Sequence, residues 1–237
     1  MSGIIDFHSH VLPGIDDGSA SLEESVALMQ RQWDQGIAHV IATPHFYPQY
    51  DEPAAFLSAR ARAEERLRRI LESRPDLPEL TVGAEVYFFP GISQSEVLEG
   101  LTIGGNRCIL IEMPGSPWTE SMYRELEQIS TRQGLIPIVA HVDRYISPLR
   151  THGIPDRLAE LPVLVQANAS FFLRSATRRL ALKLLRQGKI HLLGSDCHNL
   201  AMRPPLLGDA LEVIRQRLGE DVLEQICEYQ RLAFQNE

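Results

Sequence analysis

The sequence predicts an α/β protein in which seven short parallel strands alternate with helices and close into one barrel. Seven apolar runs rich in Ile, Val and Leu recur along the 237 residues, as expected for strands that are buried on both faces. No glycine-rich turn follows the first run, which disfavours an open doubly wound sheet and leaves a closed parallel barrel. The predicted strands cover residues 4–7, 40–43, 80–83, 108–111, 136–140, 163–167 and 190–194.

The helices between these strands have recognisable starts and ends. Ser21 is predicted to be the N-cap of the first helix, with the Glu24 side chain reaching back in a capping box. Alternation of strands and helices along the whole chain predicts a single domain over residues 1–237. Further helices are predicted over 53–73, 120–133 and 176–187, and two more follow residue 204 with a break near Gly219.

Composition and charge restrict the class of protein. Hydrophobic residues make up 44% of the chain, enough for a buried core, and the formal net charge is −8. A surface of that sign does not attract nucleic acid, so no nucleic-acid partner is expected. No apolar run reaches the roughly 18 residues of a membrane helix, so no stable membrane insertion is expected either.

The N-terminus and the cysteines predict the cellular compartment. The first ten residues lack the basic and apolar regions of a secretory signal. The three cysteines, Cys108, Cys197 and Cys227, are an odd number and lie far apart, which is typical of a reducing compartment without a disulfide framework. We therefore expect a cytoplasmic protein.

Carboxylate and imidazole side chains stand at the ends of six of the seven predicted strands. The first strand ends in Asp6-Phe7-His8-Ser9-His10, where the period of two puts both histidines on one side. The carboxyl ends of strands in a parallel barrel converge on one rim, so these groups are expected to meet. Nine side chains of the metal-ligand type are predicted there: His8, His10, Asp17, His45, Glu85, Glu112, His141, Asp196 and His198.

A single histidine or carboxylate after a strand is usually a hydrogen-bonded rim residue or a helix cap. His39, His152 and His191 are assigned to that ordinary class. Nine such groups at one rim indicate a metal site, because crowded carboxylates repel one another unless bound cations offset their charge. Mixed imidazole and carboxylate ligation suits manganese, iron or zinc better than calcium.

The motifs at these strand ends resemble the polymerase and histidinol phosphatase (PHP) superfamily. Within it, the chain is similar to the bacterial manganese-dependent protein-tyrosine phosphatases of capsule and exopolysaccharide operons. One departure is Asp143, where many relatives have the longer Glu, but this position is not a predicted ligand. The matching segments are DFHSHVLPGIDDG (6–18), ATPH (42–45), GAE (83–85), LIE (110–112), PIVAHVDRY (137–145) and GSDCHN (194–199).

This resemblance implies the PHP fold, a distorted seven-stranded (β/α)7 TIM-like barrel, and three divalent metal ions, with Mn²⁺ preferred over Fe or Zn. It assigns the first ion to His8, His10, Glu85 and Asp196. It makes Glu85 a bridge to a second ion, which is held also by Glu112 and His141. It assigns the third ion to Asp17, His45 and His198.

The resemblance also implies a substrate and a mode of binding it. Arg144 and Arg203, which stand beside the ligand motifs, would grip the substrate phosphate, because the planar guanidinium matches phosphate oxygens in pairs. The expected reaction is hydrolysis of phosphotyrosine by metal-activated hydroxide. The expected partner is a phosphotyrosine protein, the tail of a bacterial tyrosine autokinase that controls polysaccharide export.

Three alternatives remain at the level of sequence. A different PHP phosphoesterase, acting on histidinol phosphate or nucleotides, would use the same metal ligands. A metal-binding module that docks on a kinase without turnover would also keep them. Cys197 and Arg203 have the C-x5-R spacing of a cysteine-based phosphatase, but the loop between them lacks glycine and Asp196 adjoins the thiol.

Overall fold

The computed structural model describes residues 3–234, which form an α/β structure built around a curled parallel sheet. Residues 1–2 and 235–237, the ends of the predicted domain, lie outside the described residues. Within the described range there are nine strands: β1 (Ile5–Ser9), β2 (His39–Ala42), β3 (His45–Phe46), β4 (Glu79–Val82), β5 (Glu85–Tyr87), β6 (Cys108–Glu112), β7 (Ile136–Val139), β8 (Leu164–Asn168) and β9 (Leu192–Gly194).

The strands form two parallel sheets rather than the single predicted one. One sheet has three strands in the order β1-β2-β4, and the other has six in the order β3-β5-β6-β7-β8-β9. The structure has two strands more than the seven predicted, because a short strand follows the second run after a break at Thr43 and Pro44, and another follows the third run after a break at Gly83 and Ala84. Proline has no N–H to donate, so Pro44 cannot supply a ladder hydrogen bond at this point.

The interruptions do not separate the two sheets in space. Across the breaks, the Thr43 N–H donates to Ser9 O at 2.8 Å and the Glu85 N–H donates to Pro44 O at 3.0 Å. The first and last strands also lie side by side at their carboxyl ends. There the Asp196 N–H donates to His8 O at 2.8 Å, and the His10 N–H donates to Cys197 O at 2.9 Å.

Eight α-helices connect and cover the strands within the described residues. Ser21 is the N-cap of the first helix, as predicted, and its Oγ accepts the Glu24 N–H at 3.2 Å. The Glu24 carboxylate reaches back one residue further, to the Ala20 N–H at 2.9 Å. The helices are α1 (Leu22–Asp34), α2 (Pro53–Leu71), α3 (Glu120–Gln133), α4 (Ile154–Leu158), α5 (Ala169–Leu173), α6 (Ser175–Arg186), α7 (Leu207–Leu218) and α8 (Glu220–Phe234).

The last helix closes the amino end of the strands. The Phe234 ring of α8 packs edge-on against Phe7 of β1 with ring centroids 5.6 Å apart. The buried Gln230 amide pairs with both backbone groups of Ile5, each at 3.2 Å. The opposite end, where the strands finish, is therefore the end left open for a site. Among residues 3–234, none of the helices combines the length and apolar character needed to cross a membrane.

Candidate metal centre

The structure brings all nine predicted ligand side chains together at the carboxyl ends of the strands. His8 lies on β1, and His45 and Glu85 begin β3 and β5. The others follow strand ends or, like Glu112, finish a strand. Their ligand atoms form four overlapping groups with separations within 4.8 Å: His10, Asp17, His45 and His198; His8, Glu85 and His141; His8, His10 and Asp196; His45, Glu85 and Glu112.

The centre of the cluster is formed by the two histidines of the first strand and two carboxylates. The Nε2 atoms of His8 and His10 lie 3.1 Å apart. Glu85 Oε2 is 3.0 Å from Nε2 of His8 and 3.4 Å from Nε2 of His10. Asp196 Oδ1 lies 3.6 and 3.5 Å from the same two nitrogens. Four ligand atoms therefore converge on one point from strands that are far apart in sequence.

Glu85 faces a second group with its other oxygen. His141 Nε2 lies 2.7 Å from Glu85 Oε1 and 3.6 Å from Glu112 Oε1. A third set lies on the outer side, where Asp17 Oδ1 is 3.3 Å from His198 Nε2 and 3.5 Å from His45 Nε2. Asp17 is 68% exposed, in contrast to the buried ligands. The residue sets implied by the resemblance are thus close in space, with His10 adjoining the third set as well.

Metal ions fit this donor set. The buried ring atoms His45 Nδ1 and His198 Nε2 face carboxylate oxygens of Glu85 and Asp17 at 3.0 and 3.3 Å, yet neither makes a hydrogen bond among the described residues. An unpaired buried nitrogen is costly unless it binds something, and a metal ion would occupy its lone pair. Imidazole and carboxylate together are the donors preferred by manganese, iron and zinc.

The pKa values of the central groups show how strongly their charges are coupled. Burial disfavours charge on Glu85, but the neighbouring imidazoles outweigh it and hold the pKa of the carboxyl well below its usual range. Burial likewise opposes charge on Asp196, but the neighbouring His8 and His10 outweigh it and keep the pKa of Asp196 well below normal. Burial also works against the charged form of His10, yet nearby carboxylates raise the pKa of that imidazole well above normal. A divalent ion would replace these protons as the compensating charge.

Backbone geometry at the cluster departs from ordinary strand ends. His141 and Asp196 adopt positive φ angles of 31° and 53°, a region that non-glycine residues rarely enter. Asp196 and His198 thus meet the cluster through a turn after β9, outside the regular strand. Gly194 permits this close approach, because a Cβ there would lie 2.6 Å from the His8 Cβ.

Asp16, next to the predicted ligand Asp17, is a further carboxylate in contact with the cluster that the sequence did not single out. Its Oδ2 accepts a hydrogen bond from His10 Nδ1 at 2.7 Å and another from the His45 N–H at 3.1 Å. Burial opposes its charge, but the bond and charge of His10 lower the pKa of Asp16 to about 2. Asp16 therefore orients His10 so that Nε2 faces the cluster. The sequence shows two adjacent aspartates, Asp16 and Asp17, but not which of them contacts His10. Their burial distinguishes them, because the side chain of Asp16 is buried and that of Asp17 is exposed.

The sixth predicted strand supplies amides instead of charged groups. Gln166 Oε1 accepts the His141 N–H at 2.6 Å and lies 3.3 Å from Nδ1 of His8. Asn168 Nδ2 donates to Asp196 Oδ2 at 2.8 Å. Asp143, the departure from the family pattern, accepts the Asn168 N–H at 2.9 Å. The two amides thus hold the segments that carry His8, His141 and Asp196 in place. Neither residue is a typical metal donor, so the pattern of metal-ligand residue types does not indicate them.

The two predicted arginines lie against the cluster. Arg144 Nη2 is 2.5 Å from Asp196 Oδ2, and Arg203 Nη2 is 2.7 Å from Asp196 Oδ1. Their side chains are 38% and 36% exposed. Both line a cavity of about 390 Å³ that reaches Asp196. The cavity thus joins two solvent-accessible cations to the candidate metal ligands.

The thiol of Cys197 is not available as a nucleophile in this arrangement. Cys197 is fully buried, and burial followed by the charge of Asp6 raises the pKa of its thiol. A cysteine-based phosphatase needs an accessible thiolate. The geometry therefore gives no support to that alternative.

Comparison with known proteins identifies similar chains. Tyrosine-protein phosphatase CpsB of Streptococcus agalactiae serotype III (strain NEM316) is 25% identical over 238 residues, covering 94% of both chains. Tyrosine-protein phosphatase YwqE of Bacillus subtilis (strain 168) is 27% identical over 250 residues, covering 99% of this chain and 92% of YwqE.

A solved structure has the same fold. It comes from a crystallographic study of YwqE from Bacillus subtilis and CpsB from Streptococcus pneumoniae, described as metal-dependent tyrosine phosphatases. The two folds superpose with a TM-score of 0.82 at 23% identity, over 99% of this chain and 95% of the other. The profile of the family "Capsular polysaccharide synthesis, CpsB/CapC" matches residues 4–231. With nearly the whole chain inside that match, the protein belongs to the CpsB/CapC family, the branch that its sequence motifs resemble.

Proposed function

We propose that the protein is a metal-dependent protein-tyrosine phosphatase, a hydrolase of phosphoric monoesters. The observation that carries this proposal is the convergence of nine histidine and carboxylate ligands beside two arginines that line an open cavity. Metal ions and guanidinium groups are both cations that proteins use to bind a phosphoryl group. The names of the similar proteins from Streptococcus agalactiae and Bacillus subtilis support tyrosine phosphatase activity.

We infer that the two sheets act as one seven-stranded barrel of the PHP type. β2 with β3, and β4 with β5, would each count as one strand with a break. Hydrogen bonds from the Asp196 and His10 N–H groups to the opposite strand support closure between β9 and β1. The barrel would then be a single domain that ends at the rim with the metal ligands.

We further propose three divalent ions, with Mn²⁺ preferred and Fe or Zn possible on donor chemistry. His8, His10, Glu85 and Asp196 would hold one ion, and Glu85, Glu112 and His141 a second. Asp17, His45 and His198 would hold the third. Support comes from the short distances within each set and from the buried ring nitrogens that lack hydrogen-bond partners.

Divalent ions in these positions would lower the pKa of water and offset the negative charge of the phosphoryl oxygens. The chain's own contribution is to bind and orient the substrate. Arg144 and Arg203 flank Asp196 from two sides, so their guanidinium groups can hold phosphoryl oxygens from two directions. The phenol of tyrosine has a pKa near 10, so its phenolate leaves with less proton donation than an alkoxide needs.

The proposed partner is a phosphotyrosine protein in the cytoplasm, such as the tail of a bacterial tyrosine autokinase. Purified protein should therefore hydrolyse a phosphotyrosine peptide when Mn²⁺ is added, and a chelator should abolish the activity. Histidinol phosphate and nucleotides, tested side by side, should be poorer substrates. Elemental analysis of protein purified without chelator should find about three ions per chain, as the ligand count predicts. Faster turnover of histidinol phosphate or a nucleotide would overturn the proposal, and so would the absence of any hydrolysis with Mn²⁺.

A further inference from the structure

A third arginine lines the cavity that Arg144 and Arg203 share. This residue, Arg174, follows α5 and lines the cavity of about 390 Å³ together with Leu173 and Met202. It comes from the sixth predicted strand and its following helix, the part of the barrel without a metal ligand. The cavity therefore extends beyond the candidate metal centre toward a further cation.

Arg174 differs from the other two arginines in its partners. Arg144 and Arg203 both form ion pairs with Asp196. No carboxylate of residues 3–234 lies within ion-pair distance of the Arg174 guanidinium. Arg174 is also exposed to solvent. Its positive charge is thus available to a ligand in the cavity.

The backbone that carries Arg174 is held firmly. Its N–H donates to Ser170 O at 3.1 Å, and its carbonyl accepts the Arg178 N–H at 2.9 Å. The Arg178 guanidinium in turn donates to Phe172 O at 2.9 Å and Leu173 O at 2.6 Å. These bonds fix where the Arg174 side chain starts while they leave its guanidinium free to bind.

We propose that Arg174 binds the carboxylate of an aspartate or glutamate that flanks the phosphotyrosine in the substrate polypeptide. This inference rests on the proposed function. The phosphoryl group would bind at the end of the cavity next to the metal ligands, where Arg144 and Arg203 lie. Arg174 would then be left to bind a second anionic group of the same substrate. A protein of net charge −8 repels acidic polypeptides in general, so recognition of one needs a local cation of this kind.

The cavity wall fits a polypeptide as well as an anion. Leu173, Pro204 and Leu206 line it beside the arginines, together with Met202, whose side chain is 86% exposed. Apolar side chains there can pack against the aliphatic parts of flanking residues. The combination of apolar contact with one unpaired guanidinium is suited to a side chain that ends in a carboxylate.

Kinetics with three matched phosphotyrosine peptides tests the inference. The peptides differ only at the flanking positions, which carry glutamate, glutamine or lysine. The wild-type enzyme with Mn²⁺ should show a kcat/KM about fivefold higher for the glutamate peptide than for the glutamine peptide, the size expected for one exposed ion pair. Arg174→Ala should abolish this preference through KM with kcat unchanged, and Arg174→Lys should retain part of it. Hydrolysis of p-nitrophenyl phosphate should not change.

Arg179→Ala is the matched control, because Arg179 is an exposed arginine of α6 that does not line the cavity. It should keep the preference for the glutamate peptide. Binding of the same peptides carrying a non-hydrolysable phosphonate gives a second readout, in which Arg174→Ala should weaken only the glutamate peptide.

Equal kcat/KM for the glutamate and glutamine peptides with wild-type enzyme would overturn the inference. A loss in Arg174→Ala that is the same for every peptide would also overturn it, since it would indicate a general structural role. Either result leaves the proposed function intact, because wild-type hydrolysis of the glutamine peptide tests that function separately. Failure of the wild type on all phosphotyrosine peptides would instead reject the proposed function.

Discussion

Gln166 holds His8 through a side-chain contact beneath the candidate metal centre, with Oε1 3.3 Å from Nδ1 of the imidazole. An amide oxygen only accepts, so the proton of a neutral His8 must lie on Nδ1 and the lone pair on Nε2. Nε2 is the atom that faces His10 and Glu85. The same amide oxygen accepts the His141 N–H at 2.6 Å. One glutamine thus orients His8 of the first proposed ion set and His141 of the second.

Replacing Gln166 with leucine should weaken metal binding without removing a ligand. The variant loses the acceptor that fixes the His8 tautomer, so we expect metal affinity to fall by about 10- to 100-fold. Added Mn²⁺ should restore much of the activity, which a loss of folding would not allow. Gln166→Glu keeps the acceptor oxygen and should bind metal better than the leucine variant. Calorimetric titration of chelator-treated protein measures these affinities, and wild-type affinity in Gln166→Leu would contradict the positioning role.

Asp16 and Asp17 should respond differently to the same substitution. Asp16→Asn keeps an acceptor but loses the charge that orients His10, so metal affinity should fall by about 10- to 100-fold while the ion count at saturating Mn²⁺ stays normal. Asp17→Asn removes a proposed ligand, so it should lower the number of ions bound. Elemental analysis at two Mn²⁺ concentrations separates the two effects. Asp209→Asn, an exposed aspartate on α7, is the control and should change neither. Normal affinity in Asp16→Asn would show that its bond to His10 is dispensable.

The nine side chains of the candidate metal centre could be chosen from the sequence because residue type and strand position both point to them. His8 and His10 follow from strand periodicity, and Glu85 and Glu112 follow the ends of predicted strands. Their mutual distances could not be predicted in the same way. Asp196 and His198 meet the cluster through a turn with a positive φ at Asp196, which periodicity does not describe.

The residues that hold the candidate ligands in position are harder to predict from sequence, for a physical reason. Gln166 and Asn168 are not candidate ligands; they form hydrogen bonds to the candidate ligands His8 and Asp196. Amides occur at many strand ends without such a role. Whether an amide is buried beneath a histidine depends on strand order and register, which are long-range properties. The break at Pro44 had a local signal, since proline cannot take part in a ladder as donor. Its consequence, a division into two sheets, depended on where neighbouring strands ended.

Arg203→Ala should impair turnover while leaving metal binding intact. Its guanidinium lies 2.7 Å from Asp196 Oδ1 in a cavity open to solvent, and it is not a metal donor. If Arg203 binds the transferring phosphoryl group as proposed, loss of this cation should lower kcat by about 10²-fold. The measurement is steady-state hydrolysis of a phosphotyrosine peptide alongside elemental analysis of the same sample. A matching fall in metal content would show that Arg203 supports Asp196 instead of the substrate.

Cys197→Ala should retain most of the phosphatase activity. The side chain is buried, accepts a weak hydrogen bond from Gln32 Nε2 at 3.8 Å, and has a thiol whose pKa is raised by burial. We expect kcat within about threefold of wild type, because no accessible thiolate takes part in the reaction. Cys197→Ser controls for the size of the side chain. Inactivity of both variants at normal metal content and stability would revive the cysteine mechanism.

His191 is a histidine outside the metal centre with a shifted pKa. Its Nδ1 accepts the Val165 N–H at 2.9 Å, and its ring packs edge-on against Tyr229 with centroids 4.7 Å apart. Burial disfavours the charged ring and lowers the pKa of His191 from 6.5 to about 4. The unfolded chain therefore binds a proton between these two pH values that the folded chain does not.

The free energy of unfolding should consequently fall as the pH drops from 6.5 toward 4, and His191→Gln should remove part of that dependence. Between pH 7 and pH 5 the wild type should lose about 1–2 kcal/mol more stability than the variant, given 1.36 kcal/mol per pKa unit and partial solvent access. Urea unfolding in the presence of a chelator measures this without a contribution from metal binding. His152→Gln, a substitution at an exposed histidine, is the matched control. Parallel curves for His191→Gln and the wild type would show that His191 is protonated equally in the folded and unfolded chains.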